Sequence, residues 1–258
     1  TSLQPGDLKR LRDDPKTSKQ VFRYPFPGTW YLTPQVTKPP FDNVQVRRAV
    51  AHAIEREGIV KNLIGGTAQV LHPACYPAQF GCTGEVAKYD YSPAKAKKLL
   101  AEAGYPQGFK TKFYSYYDRP TCEAVINNLK DVGITTEFQF IEFAALRSAW
   151  RKGETPILFT TWGSSSIYDV SAFTPIFFKS DKDDMTHDPE VTSWFKAGDN
   201  SVDPQVRLAN YGKAYKKIAD QAYWLPMYTV NMNYVYSRDL DFKPTPDELP
   251  QFYNTRWK

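Results

Sequence analysis

After the run Lys38-Pro-Pro-Phe-Asp42, apolar residues recur at helical spacing. Val46, Ala49, Val50, Ala53 and Ile54 form one stripe, which predicts a helix capped by Asp42 and packed on a core. A short second helix is predicted over 59–64, stopped by Gly65 and Gly66. The strongest local pattern lies between Ser92 and Pro106. There Ser92 supplies the cap, Pro93 suits the first helical position, Gly104 permits a left-handed exit and Pro106 prevents continuation.

Strand-like runs over 110–117, 134–141 and 156–162 then alternate with helical periodicity over 120–132 and 142–152, with Phe138 and Phe140 on one face of the middle strand. Short joints between such elements require parallel pairing, so the expected class is α/β with a mostly parallel sheet covered on both faces. Two further helices are predicted over 189–197 and 204–222. In the second, Leu208, Tyr211, Tyr215, Ile218, Ala219 and Ala222 share a stripe read as core. Residues 224–229 and 232–236 read as strands, and the tail over 237–258 has no strong period.

The third strand of the alternating set runs directly into Trp162-Gly-Ser-Ser-Ser-Ile-Tyr168-Asp169. In open α/β sheets the ligand crevice lies just beyond the carboxyl ends of the strands, which makes this segment the candidate site. Trp162 offers a stacking face, Gly163 allows close backbone approach, and Ser164, Ser165 and Ser166 offer neutral donors and acceptors, with Tyr168 and Asp169 completing the set. The bland alternative is a serine-rich connection with Trp162 plugging the core. A hydrolase using one of these serines with Asp169 and His187 is a rival, but no G-x-S-x-G elbow occurs. His187 sits in a run that reads as an exposed turn, His52 is expected on the solvated flank of its helix, and Cys122 reads as a structural thiol. With no phosphate loop, no G-x-G-x-x-G and no H-E-x-x-H, neither catalytic residues nor a cofactor is expected.

Composition narrows this further. The formal net charge is +5, from 33 basic and 28 acidic residues interspersed along the chain, and Lys95, Lys97 and Lys98 form a solvated helix face, so nucleic acid is not an expected partner. The 20 prolines and 15% aromatics suit fixed loops and stacking surfaces. No apolar run approaches the roughly 20 residues that span a bilayer, and Thr1 to Pro5 has no leader pattern. Cys75 and Cys82 enclose six residues in a loop stiffened by two prolines. A disulfide between them is expected, with two separate buried thiols as the alternative. A disulfide closing so short a loop stabilises by about 2.5 kcal/mol and suits an oxidising compartment. Metal-ligand spacing is absent around His72, so no metal is expected.

Three segments together resemble a known family. The run from Lys38 through Arg47 and Arg48 to Arg56 is similar to the segment that opens the second lobe of family 5 solute-binding proteins, the dipeptide, oligopeptide, nickel and opine binders of ABC importers. Tyr89 to Phe109, and Arg207 to Pro226, also resemble that family. The resemblance implies a periplasmic binding protein-like lobe of type II, cluster C, belonging to half of a two-lobed clamshell. On it, residues 1–40 are a remnant of the first lobe and its crossover, 41–229 the second lobe, and 230–258 a returning segment. It further implies a periplasmic or otherwise extracytoplasmic binder, not an enzyme. The implied partners are a small-molecule or short-peptide ligand, the missing N-terminal lobe and a membrane permease. A pure protein-interaction module remains the second alternative. In peptide-binding members a Trp matching Trp162 is followed three positions later by an acid that pairs with the ligand's α-amino group; here that position is Ser165. An ammonium buried there would lack an opposing charge, which favours an opine-like or otherwise modified solute unless Asp169 takes the acid's place.

Overall fold

The computed structural model describes residues 5–65, 68–164, 167–179, 182–243 and 252–258. Helix α1 (Pro5–Asp13) precedes strand β1 (Val21–Pro34), followed by α2 (Val44–Ala53) and α3 (Arg56–Ile59), which runs on as a π turn over Val60–Ile64. Then come α4 (Pro93–Glu102), β2 (Phe109–Ser115), α5 (Arg119–Asp131), β3 (Ile134–Phe140), α6 (Phe143–Arg151) and β4 (Ile157–Gly163). Helices α7 (Pro189–Asp199) and α8 (Pro204–Asp220) lead to β5 (Leu225–Val235), and β6 (Leu240–Asp241) pairs with β7 (Arg256–Trp257).

Local chemistry sets most boundaries. The Ser92 side chain accepts from the Lys95 N–H, and Gly104 exits at φ 91°, as expected. Helix α2, however, is capped by Asn43, which accepts from the Gln45 N–H at 2.8 Å. Asp42 instead lies one residue earlier, its N–H tied back to the Lys38 carbonyl. The second helix begins at Arg56 rather than 59, because the Arg56 guanidinium is buried against the carbonyls of Leu71, Pro226 and Tyr89.

The main sheet has the order β3-β2-β4-β1-β5. Strand β2 pairs in parallel with β3 from Phe109↔Ile134 to Ser115↔Phe140, and with β4 at Phe113↔Ile157 and Tyr114↔Leu158. This is the parallel unit expected from the alternating elements. Two antiparallel strands extend it into a mixed sheet: β1 pairs with β4 from Gly28↔Gly163 to Pro34↔Ile157, and β5 pairs with the far side of β1. The expected boundary at residue 40 therefore does not coincide with the edge of the sheet. Gly28 to Pro34 fill the gap between β4 and β5, because neither strand has another partner for its inner row of backbone groups. The two runs read as separate strands near 224 and 236 are one strand, irregular where its register against β1 shifts.

Both faces of the sheet are covered. On one, Trp30, Leu32, Phe113, Ile157 and Phe159 pack with Val46, Ala49 and Val50 of α2, Leu100 of α4 and Val125 and Leu129 of α5. On the other, Tyr31 and Leu158 pack with Leu146 and Trp150 of α6, Phe195 of α7 and Tyr211, Tyr215 and Ile218 of α8. Two expectations of exposure reverse. His52 is buried, its Nδ1 donating to the Asp90 carbonyl at 2.8 Å, because the segment leading into α4 folds over that flank of α2. Leu208 is exposed, since the buried stripe of α8 starts only at Tyr211.

Cys75 and Cys82 are disulfide-bonded. Cys122 is a free, buried thiol that burial pushes up to about 12, which makes it unreactive. Titration of thiols without reductant is therefore expected to find no reactive group in the native protein and one after denaturation. Replacing both Cys75 and Cys82 by Ser should lower stability by about 2.5 kcal/mol, a fall of roughly 5–10 °C in melting temperature. Three titratable thiols in the unreduced, denatured chain would contradict this pairing.

Candidate functional site

Parallel strands β3, β2 and β4 end on the same side of the sheet, so the segments after Phe140, Ser115 and Gly163 converge there. Alternation along β4 then divides the site. Thr161 lies on the face of Trp30, its register partner, and Trp162 lies on the opposite face with Tyr31's cluster.

On the Trp162 side the surface is aromatic. The Trp162 ring is partly exposed, edge-on to Phe177 at 5.3 Å, with the Arg147 guanidinium 5.2 Å from its centroid. Arg147 is held by buried Asp183 at 2.6 Å. Burial alone would raise the Asp183 carboxyl, but its hydrogen bonds and charge contact with Arg151 and Arg147 hold it below the usual range. Tyr116 lies over Phe143 at 4.9 Å, and Tyr168, exposed, meets Tyr76 edge-on at 6.5 Å.

The expected site residues divide by role. Gly163 faces Gly28, where a Cβ would lie 3.2 Å from the Trp162 carbonyl and collide with the Phe26 ring, so the strand pair closes tightly. Ser164 is buried and both its N–H and its hydroxyl donate to the Pro27 carbonyl, at 3.1 and 3.3 Å. It ties the loop to β1. Ser165 and Ser166 lie outside the described residues. Asp169 accepts from Arg207 at 2.8 Å and from the Ser171 N–H at 3.0 Å. Its carboxyl is therefore engaged in holding the loop to α8. The same loop is stitched to the disulfide loop: Phe80 N–H donates to the Tyr168 carbonyl, and Val170 N–H to the Phe80 carbonyl. Among the described residues, no histidine meets Ser164, and His187 is exposed, with its N–H on Asp184.

On the Thr161 side lies a cavity of about 300 Å³ that sequence reasoning missed. Trp30, Tyr117 and Tyr228 form its aromatic wall, and its lining carries Asp118, Arg12 and Arg23. Asp118 caps α5 from a left-handed conformation, φ 53°, and accepts from the Tyr228 hydroxyl at 3.2 Å. The helix over 120–132 was legible in the sequence, but its Asp118 cap and that residue's burial beside a cavity were not.

An α/β lobe whose strands present binding loops at one end, with aromatic and polar groups set around them, is the architecture of a solute-binding lobe. Residues 1–184 match the family described as "Bacterial extracellular solute-binding proteins, family 5 Middle", and the chain belongs to that family. It is 26% identical over 234 residues to heme-binding protein A of Haemophilus influenzae, covering 86% of this chain and 42% of that protein. It is 28% identical over 228 residues to the glutathione-binding protein GsiB of Salmonella paratyphi A, covering 81% of this chain and 44% of that one. The chain thus spans less than half the length of these relatives. Its fold matches the periplasmic binding protein DppA of Helicobacter pylori, solved with the peptide STSA, with a TM-score of 0.84 at 23% identity over 100% of this chain and 52% of that one. It also matches a dipeptide binding protein of Pseudoalteromonas sp. SM9913, solved with Met-Leu, with a TM-score of 0.85 at 19% identity over 99% and 53% of the chains.

For the Asp169 carboxyl, burial acts to raise its protonation point, but the hydrogen bonds from Arg207 and Ser171 outweigh it, so the net shift is downward. A carboxyl lowered by folding stabilises above its unfolded value, near 3.9, and that contribution is lost as pH falls through the folded value. Asp169→Asn is expected to destabilise by about 1–2 kcal/mol at pH 7. The difference from wild type should shrink below about pH 4. Equal melting temperatures at pH 7 would show that the ion pair does not hold the loop.

Proposed function

We propose that this chain is the second lobe of the substrate-binding component of an ABC importer, and that it captures a small, polar, peptide-like or opine-like solute outside the cytoplasmic membrane. The observation that carries the reading is the convergence of Trp162, Tyr116, Phe143 and Tyr168 at the carboxyl ends of the parallel strands of a lobe in this family. Trp162, Gly163, Ser165, Ser166 and Tyr168 form the solute-facing loop, while Ser164 and Asp169 anchor it. The role is capture rather than catalysis, in the periplasm, with a membrane permease as the receiving partner. The residues ahead of Gly28, together with 230–258, run toward a first lobe that completes the cleft. Support for this comes from the ribbon formed by Val21 to Pro25 and Asn231 to Val235, which pair with each other beyond the reach of β4.

The alternative is a dipeptide or oligopeptide binder proper. The solved DppA and dipeptide-binding structures favour it, since both hold peptides. Against a simple peptide mode stand the neutral Ser165 and the engagement of Asp169 by Arg207, which leave this loop without a free carboxylate among its described residues.

Native mass spectrometry of the two-lobed protein is expected to retain one polar solute. Calorimetry with that solute should show affinity at least tenfold weaker for this chain alone, because closure draws contacts from both lobes and excludes water. Trp162→Ala in the two-lobed protein should weaken it by a further factor of about ten, the loss of one stacking contact of roughly 1–1.5 kcal/mol. Equal affinity with and without the first lobe would overturn the clamshell reading.

A further inference from the structure

The cavity behind Thr161 carries an unpaired buried carboxylate among the described residues, in contrast to the loop on the Trp162 face, where Asp169 is paired with Arg207. Among the described residues, its charged lining groups are Asp118, Arg12 and Arg23. Asp118 is 8% exposed. Its oxygens accept from the Tyr228 hydroxyl and the Thr121 N–H, both neutral donors, and no Lys or Arg lies within ion-pair distance among the described residues. Its sequence neighbour Arg119 turns away, with its guanidinium over Phe138 and Phe140 and near Glu123. A buried carboxylate satisfied only by neutral donors retains most of its affinity for a cation, and the space beside it is large enough to admit one.

The arginines lie toward the other end of the cavity. Arg23 pairs with Asn233 in the β1–β5 register and donates to its side chain at 3.1 Å. Tyr228, which touches Asp118, is five residues back along β5, roughly 16 Å of strand. Arg12 stands close enough to lower the Arg23 guanidinium's proton affinity, after burial, which is the larger cause. Two cationic groups that repel each other attract an anion between them.

We propose that this cavity is a subsite for a zwitterion, with the solute's ammonium on Asp118 and its anionic group toward Arg23, against the aromatic wall of Trp30, Tyr117 and Tyr228. The inference deepens the proposed solute-binding role and rests on it. It assigns amine recognition to the opposite face of β4 from Ser165, which explains how a lobe lacking the loop acid takes an amine-bearing solute. A volume of about 300 Å³ lies at the lower end of small-ligand sites and suits a solute the size of a tripeptide.

The test uses this 258-residue chain, since the cavity lies entirely within it. Trialanine, its N-acetyl form and its C-terminal amide are titrated by NMR up to millimolar concentration, against wild type, Asp118→Asn and Arg23→Gln. Asn keeps the cap through its Oδ1 and tolerates the left-handed conformation, and its amide nitrogen donates to the Tyr228 hydroxyl where Oδ2 accepted from it, so Asp118→Asn removes the charge while keeping a hydrogen bond at both places. Wild type is expected to bind trialanine at least tenfold more tightly than either blocked form. Asp118→Asn should lose the preference for the free amine while keeping the preference for the free carboxylate, and Arg23→Gln should do the reverse. Equal binding of free and N-acetylated trialanine, an unchanged preference in Asp118→Asn, or no binding by any of the three overturns the subsite. The clamshell comparison with the first lobe is read separately from the retained solute, so the subsite can fail while the importer reading stands.

Discussion

Trp30 and Tyr31 are consecutive on β1, so the pleat sends one to each face of the sheet, and both cores close on them. Trp30 stacks on Phe159 at 4.8 Å, and Tyr31 stacks on Trp224 at 4.0 Å. The strand that carries them is hydrogen-bonded on both sides, to β4 and to β5. Without it, β4 would lose the backbone partners that fix where it ends, and two aromatic clusters would open together. The site inherits this dependence. Gly28↔Gly163 is the last pair of the β1–β4 ladder, so β1 determines where Trp162 stands, and Trp30 itself walls the cavity on the other face.

The loop beyond Gly163 is held by three independent kinds of bond. Ser164 ties its start to Pro27, the bridge to Phe80 ties its end to the disulfide loop, and Asp169 ties it to Arg207 on α8. Arg207 in turn lies over Phe80 at 5.0 Å and donates to Tyr211, whose hydroxyl donates to Asp199. Gly81, at φ 87°, lets the disulfide loop press against the Tyr211 ring, where a Cβ would meet it at 2.6 Å. On the proposed reading, anchoring the loop at Ser164 and Asp169 lowers the entropy it loses on binding, which raises affinity without adding contacts.

What the sequence disclosed follows the range of the interactions involved. The α4 helix, with Ser92, Pro93 and Gly104 at its ends, was legible because caps act within a few residues. The parallel unit was legible because its strands and helices alternate at short spacing, and the Cys75–Cys82 pair because its loop is short. The central place of β1 was not, because its pairing joins residues near 30 to residues near 160 and 228, and its prolines break the strand pattern. His52 was misread because the segment that buries it arrives from 38 residues downstream. Asp169 was legible as a polar residue of the candidate loop, but its engagement depends on Arg207, a contact with no local signature.

Alternation along one strand then determines which groups each face presents at the end of β4. Because Thr161 and Trp162 point to opposite faces, the end of β4 separates an aromatic surface whose carboxylates are paired with arginines from a cavity with a carboxylate and two guanidiniums in its lining. On the aromatic side Asp169 is paired with Arg207, and Asp183 with Arg147 and Arg151. Asp118 differs from both, because it is buried with neutral partners alone, and burial raises its carboxyl despite their hydrogen bonds. A folded protein tolerates such a group when it also supports structure, and Asp118 does so by capping α5. The cap accounts for its position, while the cavity beside it leaves room for the opposing charge that the fold itself does not provide.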